Sequence, residues 1–132
     1  MVNSTVLVVE PDAAMREMLS AALAYEGYRV IPCGDYERAQ ELIGRSRPGV
    51  MILSHNHRHP SAAHQLVARL KLDERTAGIP IIMTIADARM VADAGELRRL
   101  GVEPLLRPFD LDDLYRRMDA LRAVTLEHAG VA

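Results

Sequence analysis

The sequence is poor in aromatic residues: its 132 residues contain no tryptophan, one phenylalanine and four tyrosines. A folded core must therefore be built mainly from aliphatic side chains and methionine. Hydrophobic residues still make up 49% of the chain, and charges of both signs are interspersed among them. This composition excludes an intrinsically disordered chain, which combines low hydrophobicity with a large net charge.

Cysteine and long apolar runs are also scarce. The single cysteine, Cys33, excludes an internal disulfide and is typical of a reducing compartment. No apolar run approaches the roughly 20 residues that cross a membrane. The first ten residues lack the charged region of a signal peptide. We therefore predict a cytoplasmic protein that does not contact membranes.

The chain also has no excess of basic charge. It contains 16 basic and 18 acidic residues, which give a net charge of −2. Nucleic-acid-binding domains usually carry a clustered positive charge, and a chain of this length fits one domain without a helix-turn-helix segment. We predict a single domain over residues 1–128, a C-terminal tail over 129–132, and no direct binding to nucleic acid.

Short apolar, β-branched runs alternate along the chain with segments of helical periodicity. The predicted strands are Thr5–Val9, Tyr28–Pro32, Val50–Leu53, Pro80–Ile85 and Pro104–Leu106. Continuous apolar strands separated by helices predict an α/β fold with a parallel sheet covered on both faces. In such folds, functional sites form beyond the carboxyl ends of the strands.

Several polar or charged side chains fall at these strand ends. They are Glu10 and Asp12 after the first strand, Ser54 after the third, Thr84 beside Ile85 in the fourth, and Arg107 after the fifth. We predict that they lie together at one edge of the sheet.

Four segments, in this order, resemble the receiver domain of bacterial response regulators: VLVVEPDAAMREMLSAALAYEGYRV, RPGVMILS, LKLDERTAGIPIIMTIA and LLRPFDLDDL. The resemblance implies a flavodoxin-like (βα)5 three-layer sandwich with a five-stranded parallel sheet. It also implies two-component phosphorelay signalling. In such receivers a histidine kinase transfers a phosphoryl group to an aspartate. Acidic residues hold magnesium there, and a hydroxyl side chain and a lysine read out the phosphate.

The chain departs from that pattern at the acceptor and at the acidic pair. The resemblance assigns the phosphoacceptor position to Ser54, a weak nucleophile unless a base activates it. Glu10 keeps the first acidic position, but Pro11 occupies the second, and Asp12 follows one residue later. Magnesium prefers a cage of oxygen ligands, so we expect this pocket to hold it only weakly.

The readout positions are altered too. Ile85 stands where the family has a hydroxyl, while Thr84 precedes it and is expected to point to the opposite face of the sheet. Arg107 replaces the lysine. Its guanidinium either reaches back to Glu10 or Asp12 and fixes the pocket in one state, or remains solvated at the strand end.

A histidine-rich loop follows the third strand. His55, His57 and His59 alternate, with His64 a few residues on, and imidazole is a common ligand of zinc, copper and nickel. The spacing matches no complete metal motif. The three alternating histidines are thus candidate metal ligands, with a polar loop or a pH-sensing loop as the alternatives.

These losses predict a stand-alone pseudo-receiver that is not an enzyme, needs no resident cofactor and acts through protein contacts. The resemblance implies a partner, whether a kinase, a regulator or an effector, at the face from the fourth to the fifth helix, and a homodimer there is an alternative. Two other functions stay open: a receiver phosphorylated unconventionally on Ser54, and a small metal-binding protein built on the histidine loop.

Overall fold

The computed structural model describes residues 4–55, 60–86 and 94–131, in which five strands alternate with five helices. The elements are β1 (Thr5–Val9), α1 (Ala13–Tyr25), β2 (Arg29–Cys33), α2 (Tyr36–Ser46), β3 (Val50–Ser54), α3 (Pro60–Leu72), β4 (Ile81–Ile85), α4 (Ala94–Arg99), β5 (Val102–Leu106) and α5 (Leu111–Val131).

The strands form one parallel sheet in the order β2-β1-β3-β4-β5. Helices α1 and α5 pack on one face of the sheet, and α2, α3 and α4 pack on the other. Right-handed crossovers between parallel strands produce this three-layer arrangement. The flavodoxin-like (βα)5 fold predicted from the sequence is therefore confirmed.

The core on both faces is aliphatic and methionine-based. Every residue of β3 and of β4 is buried, which explains why these strands appear in the sequence as continuous apolar runs. Met51 and Met83 are fully buried in the α2–α4 face, and Met118 lies in the α1–α5 face. Tyr28 adds a buried aromatic ring.

The two edge strands, β2 and β5, each contain a proline. Pro32 lies opposite Val8, and Pro104 lies opposite Met83. The neighbouring Cys33 directs its backbone towards β1, because its carbonyl accepts the Glu10 N–H. Backbone groups of successive strand residues point in alternate directions, so Pro32 faces away from the sheet. Pro104 does so as well, since Arg107, three residues on, donates its N–H inward to β4.

Several element boundaries differ from prediction: β2 is Arg29–Cys33 rather than Tyr28–Pro32, β3 extends to Ser54, and β4 begins at Ile81. β5 begins at Val102 rather than Pro104, because Val102 is buried and pairs with Ile81. α3 begins at Pro60, so Ser61 lies inside the helix. Proline is favoured in the first helical turn, where its missing N–H costs no hydrogen bond.

The last two helices also differ in extent. α5 continues to Val131, into the segment 129–132 predicted as a tail, while the domain boundary at 128 stays a prediction. α4 begins at Ala94 among the described residues. In the part of the chain that the structure describes, no helix is long and apolar enough to span a bilayer.

Candidate functional site

Three polar side chains form a row at the carboxyl edge of the sheet. Val9 pairs with Leu53, and Ser54 pairs with Thr84, so the ends of β1, β3 and β4 lie level. Glu10, Ser54 and Thr84 are buried, with exposed fractions of 2%, 3% and 2%. The predicted convergence of these strand ends is therefore observed.

Thr84 and Ile85 point to opposite faces, as expected. Ile85 packs in the core beneath α2–α4. Thr84 shares the α1–α5 face with Ser54, since paired residues of parallel strands point the same way. A hydroxyl is thus retained next to Ser54, on the strand neighbour rather than at the family's readout position.

Glu10 lies at the centre of the site. Its carboxylate accepts a hydrogen bond from the Ser54 side chain, and its Oε1 is 3.8 Å from Nη1 of Arg107. Burial raises the pKa of Glu10 above its usual value, while the hydrogen bond from Ser54 and the charge of Arg107 oppose that rise. Within the described residues, Oε2 of Glu10 accepts no hydrogen bond.

Arg107 is held at the end of β5 by its backbone and by its side chain. Its N–H donates to the carbonyl of Ile85 at 2.7 Å, and its Nη2 donates to the carbonyl of His55 at 3.1 Å. The peptide bond to Pro108 is cis. With Glu10 at 3.8 Å, the ion pair proposed from the sequence is confirmed.

Asp12 contributes less to the pocket than its position in the sequence indicates. Its side chain accepts the backbone N–H of Met15 at 2.9 Å and caps the start of α1. Asp12 is exposed, and its negative charge adds to the rise in the pKa of Glu10. The buried acidic pocket is therefore Glu10, with Asp12 at its margin.

Arg16 of α1 belongs to the site but was not predicted. Its Nη1 donates to the carbonyl of Glu10 at 2.8 Å. A Cβ atom placed on Gly34 would lie 2.6 Å from this Nη1, so the glycine leaves room for the guanidinium. Gly34 is the feature of the sequence that is connected with Arg16, but from the sequence alone this glycine indicates only a turn before α2.

Tyr36, the first residue of α2, was also missed. Its hydroxyl donates to the backbone carbonyl of Ser54. Burial and the nearby charge of Glu10 raise the pKa of Tyr36 to about 12. The carbonyl at the end of β3 is thus held by a side chain from the opposite face of the sheet.

These donors do not fit a magnesium ion. Glu10 is the buried carboxylate, and a guanidinium already stands beside it, which opposes a second positive charge. Over residues 4–55, 60–86 and 94–131, no group of three His, Cys, Asp or Glu side chains is placed to hold a metal. Magnesium requires near-octahedral oxygen coordination, which a single carboxylate and a hydroxyl do not supply.

The structure places one of the three predicted histidine ligands. His55 is 2% exposed, and its ring meets that of His64 edge to face, with centroids 5.4 Å apart. His57 and His59 lie outside the described residues. The metal site on His55, His57 and His59 stays a prediction.

The face formed by α4, β5 and α5 combines exposed leucines with paired charges. Leu100 and Leu106 are each 43% exposed. Arg117 of α5 forms an ion pair with Glu103 of β5, and Arg98 of α4 lies 3.8 Å from the same carboxylate. These pairs link the three elements into one surface.

Sequence comparison finds curated relatives over most of the chain. The phosphate regulon transcriptional regulatory protein PhoB of Pseudomonas aeruginosa is 31% identical over 121 residues, which are 92% of this chain and 52% of that protein. The probable transcriptional regulatory protein TcrX of Mycobacterium tuberculosis is 30% identical over 89% of this chain and 49% of its own length. The chain thus spans about half the length of these relatives. No protein-family model matches it.

Solved structures show the same fold. A response regulator of Chloroflexus aurantiacus superposes with a TM-score of 0.77 at 25% identity, over 90% of this chain and 97% of that one. The chemotaxis protein CheY4 of Vibrio cholerae gives a TM-score of 0.74 at 22% identity, over 89% and 97%. The signal receiver domain of a histidine kinase from Syntrophus aciditrophicus gives 0.75 at 22% identity, over 90% and 89%.

Proposed function

We propose that the chain, a receiver-like domain similar to those of response regulators in two-component signalling, works as a pseudo-receiver without phosphorylation on aspartate. Receiver domains act through protein partners such as kinases and effector domains. This domain acts in the same way, but its surface does not depend on a phosphoryl group at the end of β3.

The observation that carries this proposal is the closed arrangement around Glu10. Ser54 donates to Glu10, Arg107 stands 3.8 Å from it, and Tyr36 holds the carbonyl of Ser54. Phosphoryl transfer needs a nucleophile together with positive charge directed at the transferred group. Here the acceptor carboxylate is replaced by a buried hydroxyl, and the negative charge of Glu10 offsets part of the charge of Arg107.

The proposal extends to partner, chemistry and location. The α4–β5–α5 face is the docking surface, because Leu100 and Leu106 are exposed there between paired charges. The partner is a kinase, a regulator or an effector protein, and a homodimer through this face is the second possibility. The domain catalyses no reaction, holds no resident cofactor and works in the cytoplasm. Its net charge of −2 supports protein rather than nucleic-acid partners.

Phosphorylation is tested by incubating the protein with acetyl phosphate and magnesium and measuring its intact mass. We expect no gain of one phosphate. A receiver that carries the acceptor aspartate, treated in parallel, shows that the donor is active. The P11D/S54D/I85T/R107K variant restores the family's residues and is expected to gain the phosphate. An acid-labile or base-labile phosphate on the native chain contradicts the proposal.

The docking face is tested by matched leucine variants used as bait in the native organism. L106E places a charge in the α4–β5–α5 face, whereas L72E alters Leu72, which is 86% exposed at the end of α3. Partners retained by the native chain and L72E but lost with L106E support this face. Equal retention by both variants contradicts it.

Modification of Ser54 by a serine/threonine kinase gains no support from its position. Ser54 is 3% exposed and forms part of a central strand, where a kinase cannot extend the chain through its active site. An acid-stable phosphate mapped to Ser54 in protein from its native host would favour this alternative.

A further inference from the structure

A pocket of 320 Å³ opens beside the Glu10–Arg107 pair, between the first turns of α1 and the loop after β5. Its lining residues are Met15, Met18, Arg107, Pro108 and Phe109. Pockets that bind small molecules occupy roughly 300–1,000 Å³ and combine apolar walls with a few polar groups. This pocket lies at the small end of that range and has the same mixed character.

The walls are apolar and adaptable. Met15 and Phe109 are partly buried against the α1–α5 core, and Met18 is 41% exposed at the rim. Methionine side chains are flexible and polarisable, and they adjust to the shape of an apolar partner. Phe109, the only phenylalanine of the chain, adds an aromatic ring to the lining. Such walls suit an aliphatic or aromatic body of a few carbons.

The positive charge that lines the pocket has hydrogen-bonding capacity to spare. Arg107 stands 3.8 Å from Glu10, which is longer than a hydrogen bond, and its Nε donates to no group among the described residues. A guanidinium presents several donors in a plane and binds carboxylates through two of them. Arg107 is therefore able to accept a second anion without first losing a full set of bonds.

Asp12 and Asp110, which lie close in sequence to the lining residues, are engaged as helix caps. Asp12 accepts the N–H of Met15 at 2.9 Å, and Asp110 accepts the N–H of Asp113 at 2.8 Å. Both carboxylates thus cap helices, and the helix starts they cap are electropositive. The local charge available to a ligand is that of Arg107.

We propose that this pocket binds a small monocarboxylate with a short apolar body. Its carboxylate bonds to Arg107, and its body lies against Met15, Met18 and Phe109. The ligand and Glu10 then share Arg107, so ligand binding reaches the strand-end site through this one side chain. This goes beyond the protein-docking role, which involves the α4–β5–α5 face.

The test uses protein labelled with carbon-13 at the methionine methyl groups and titrated with hexanoate, followed by NMR. We expect saturable shifts at Met15 and Met18 and none at the buried Met51. Hexanamide has the same shape without the charge, and it is expected to bind about tenfold more weakly, because it loses a charge-assisted hydrogen bond. Absence of saturable shifts up to the solubility of hexanoate overturns the proposal, and so does equal binding of the amide.

Three variants locate the site. M18E puts a negative charge at the exposed rim and is expected to abolish hexanoate binding while leaving the fold intact. R107M is expected to abolish the preference for acid over amide. R116M is the matched control, because Arg116 is an α5 arginine with a side chain 75% exposed and outside the pocket lining. Hexanoate binding that survives M18E, or that falls equally in R116M, contradicts the assignment.

Discussion

Two glutamate–arginine pairs in this molecule use the same chemical groups in different surroundings. Glu10 and Arg107 meet at the carboxyl edge of the sheet, with side chains 3% and 22% exposed. Glu103 and Arg117 meet on the α4–β5–α5 face, with side chains 32% and 30% exposed. The first pair lies where the family carries out its chemistry, and the second lies where we propose that a partner docks.

The surroundings decide what each pair contributes. The pKa of Glu10 is raised although Ser54 and Arg107 both act to lower it. Burial therefore disfavours the charged form of Glu10 more than these two partners stabilise it. A pair of this kind adds little net stability, but it fixes one arrangement, since losing either partner leaves a buried charge. The Glu103–Arg117 pair remains hydrated and links α5 to β5 at small cost.

The largest expected effect is that of R107M. Removing one partner of a buried pair costs about 3 kcal/mol of unfolding free energy, because Glu10 is left without its counter-ion. The loss is expected to be larger at pH 8 than at pH 5, because the pKa of Glu10 is raised and more of this carboxyl takes up a proton as the pH falls. Urea denaturation at both pH values measures it. A loss that does not depend on pH would contradict the role of the Glu10 charge.

A smaller loss is expected for Y36F. Removing the hydroxyl that bonds to the Ser54 carbonyl costs about 1 kcal/mol at pH 7. The pKa of Tyr36 is raised to about 12, so the folded state keeps this proton above pH 10 while the unfolded state loses it. Native stability should therefore fall as the pH rises from 10 towards 12, and Y36F should lack this component. Thermal melts across that range, with Y25F as an exposed control, test both points.

E10Q is expected to change how the unfolding free energy varies with pH more than it changes the unfolding free energy at any single pH. Because the pKa of Glu10 is raised above 4.5, the folded state binds the proton more tightly than the unfolded state. The stabilisation of the fold that comes from protonated Glu10 is present at low pH, and it is lost as the pH rises from 4.5 through the raised pKa. Unfolding free energies between pH 4 and 8 should decline less in E10Q than in the native chain. Parallel curves for the two proteins would argue against a raised pKa.

The smallest effect is expected for R117M on the other pair. A partly exposed ion pair contributes about 0.5 kcal/mol, and salt screens it. The loss should therefore vanish in roughly 1 M sodium chloride, whereas that of R107M should persist. Denaturation of both variants at low and high salt makes the comparison. Equal losses would remove the distinction between the buried and the exposed pair.

The strand pattern could be predicted because it depends on local sequence. β1 is found at Thr5–Val9 as predicted, since a run of β-branched residues ends at a polar strand end. β5 was predicted too short, because Pro104 reads as a strand start when its edge position is unknown. The Glu10–Arg107 pair was one of two alternatives that the sequence left open for Arg107, and it could be considered because the topology brings the two strand ends to one edge.

Contacts between elements were harder to foresee. Arg16 and Tyr36 reach the site from helices on opposite faces of the sheet, and their roles depend on side-chain directions that no spacing encodes. The pocket beside Phe109 likewise requires two distant segments to be in place. Sequence periodicity predicts which side of a strand or helix is buried, whereas these contacts depend on how the helices and loops pack against the strand ends.

The outward-facing prolines of the edge strands have a consequence for association. An incoming β-strand from another molecule would need N–H donors along β2 or β5, and Pro32 and Pro104 each remove one at a position that faces away from the sheet. Extension of the sheet from molecule to molecule, the route to fibrillar aggregates, is therefore hindered at both ends. Partners are left to recognise side chains, such as those of the α4–β5–α5 face, instead of the strand backbone.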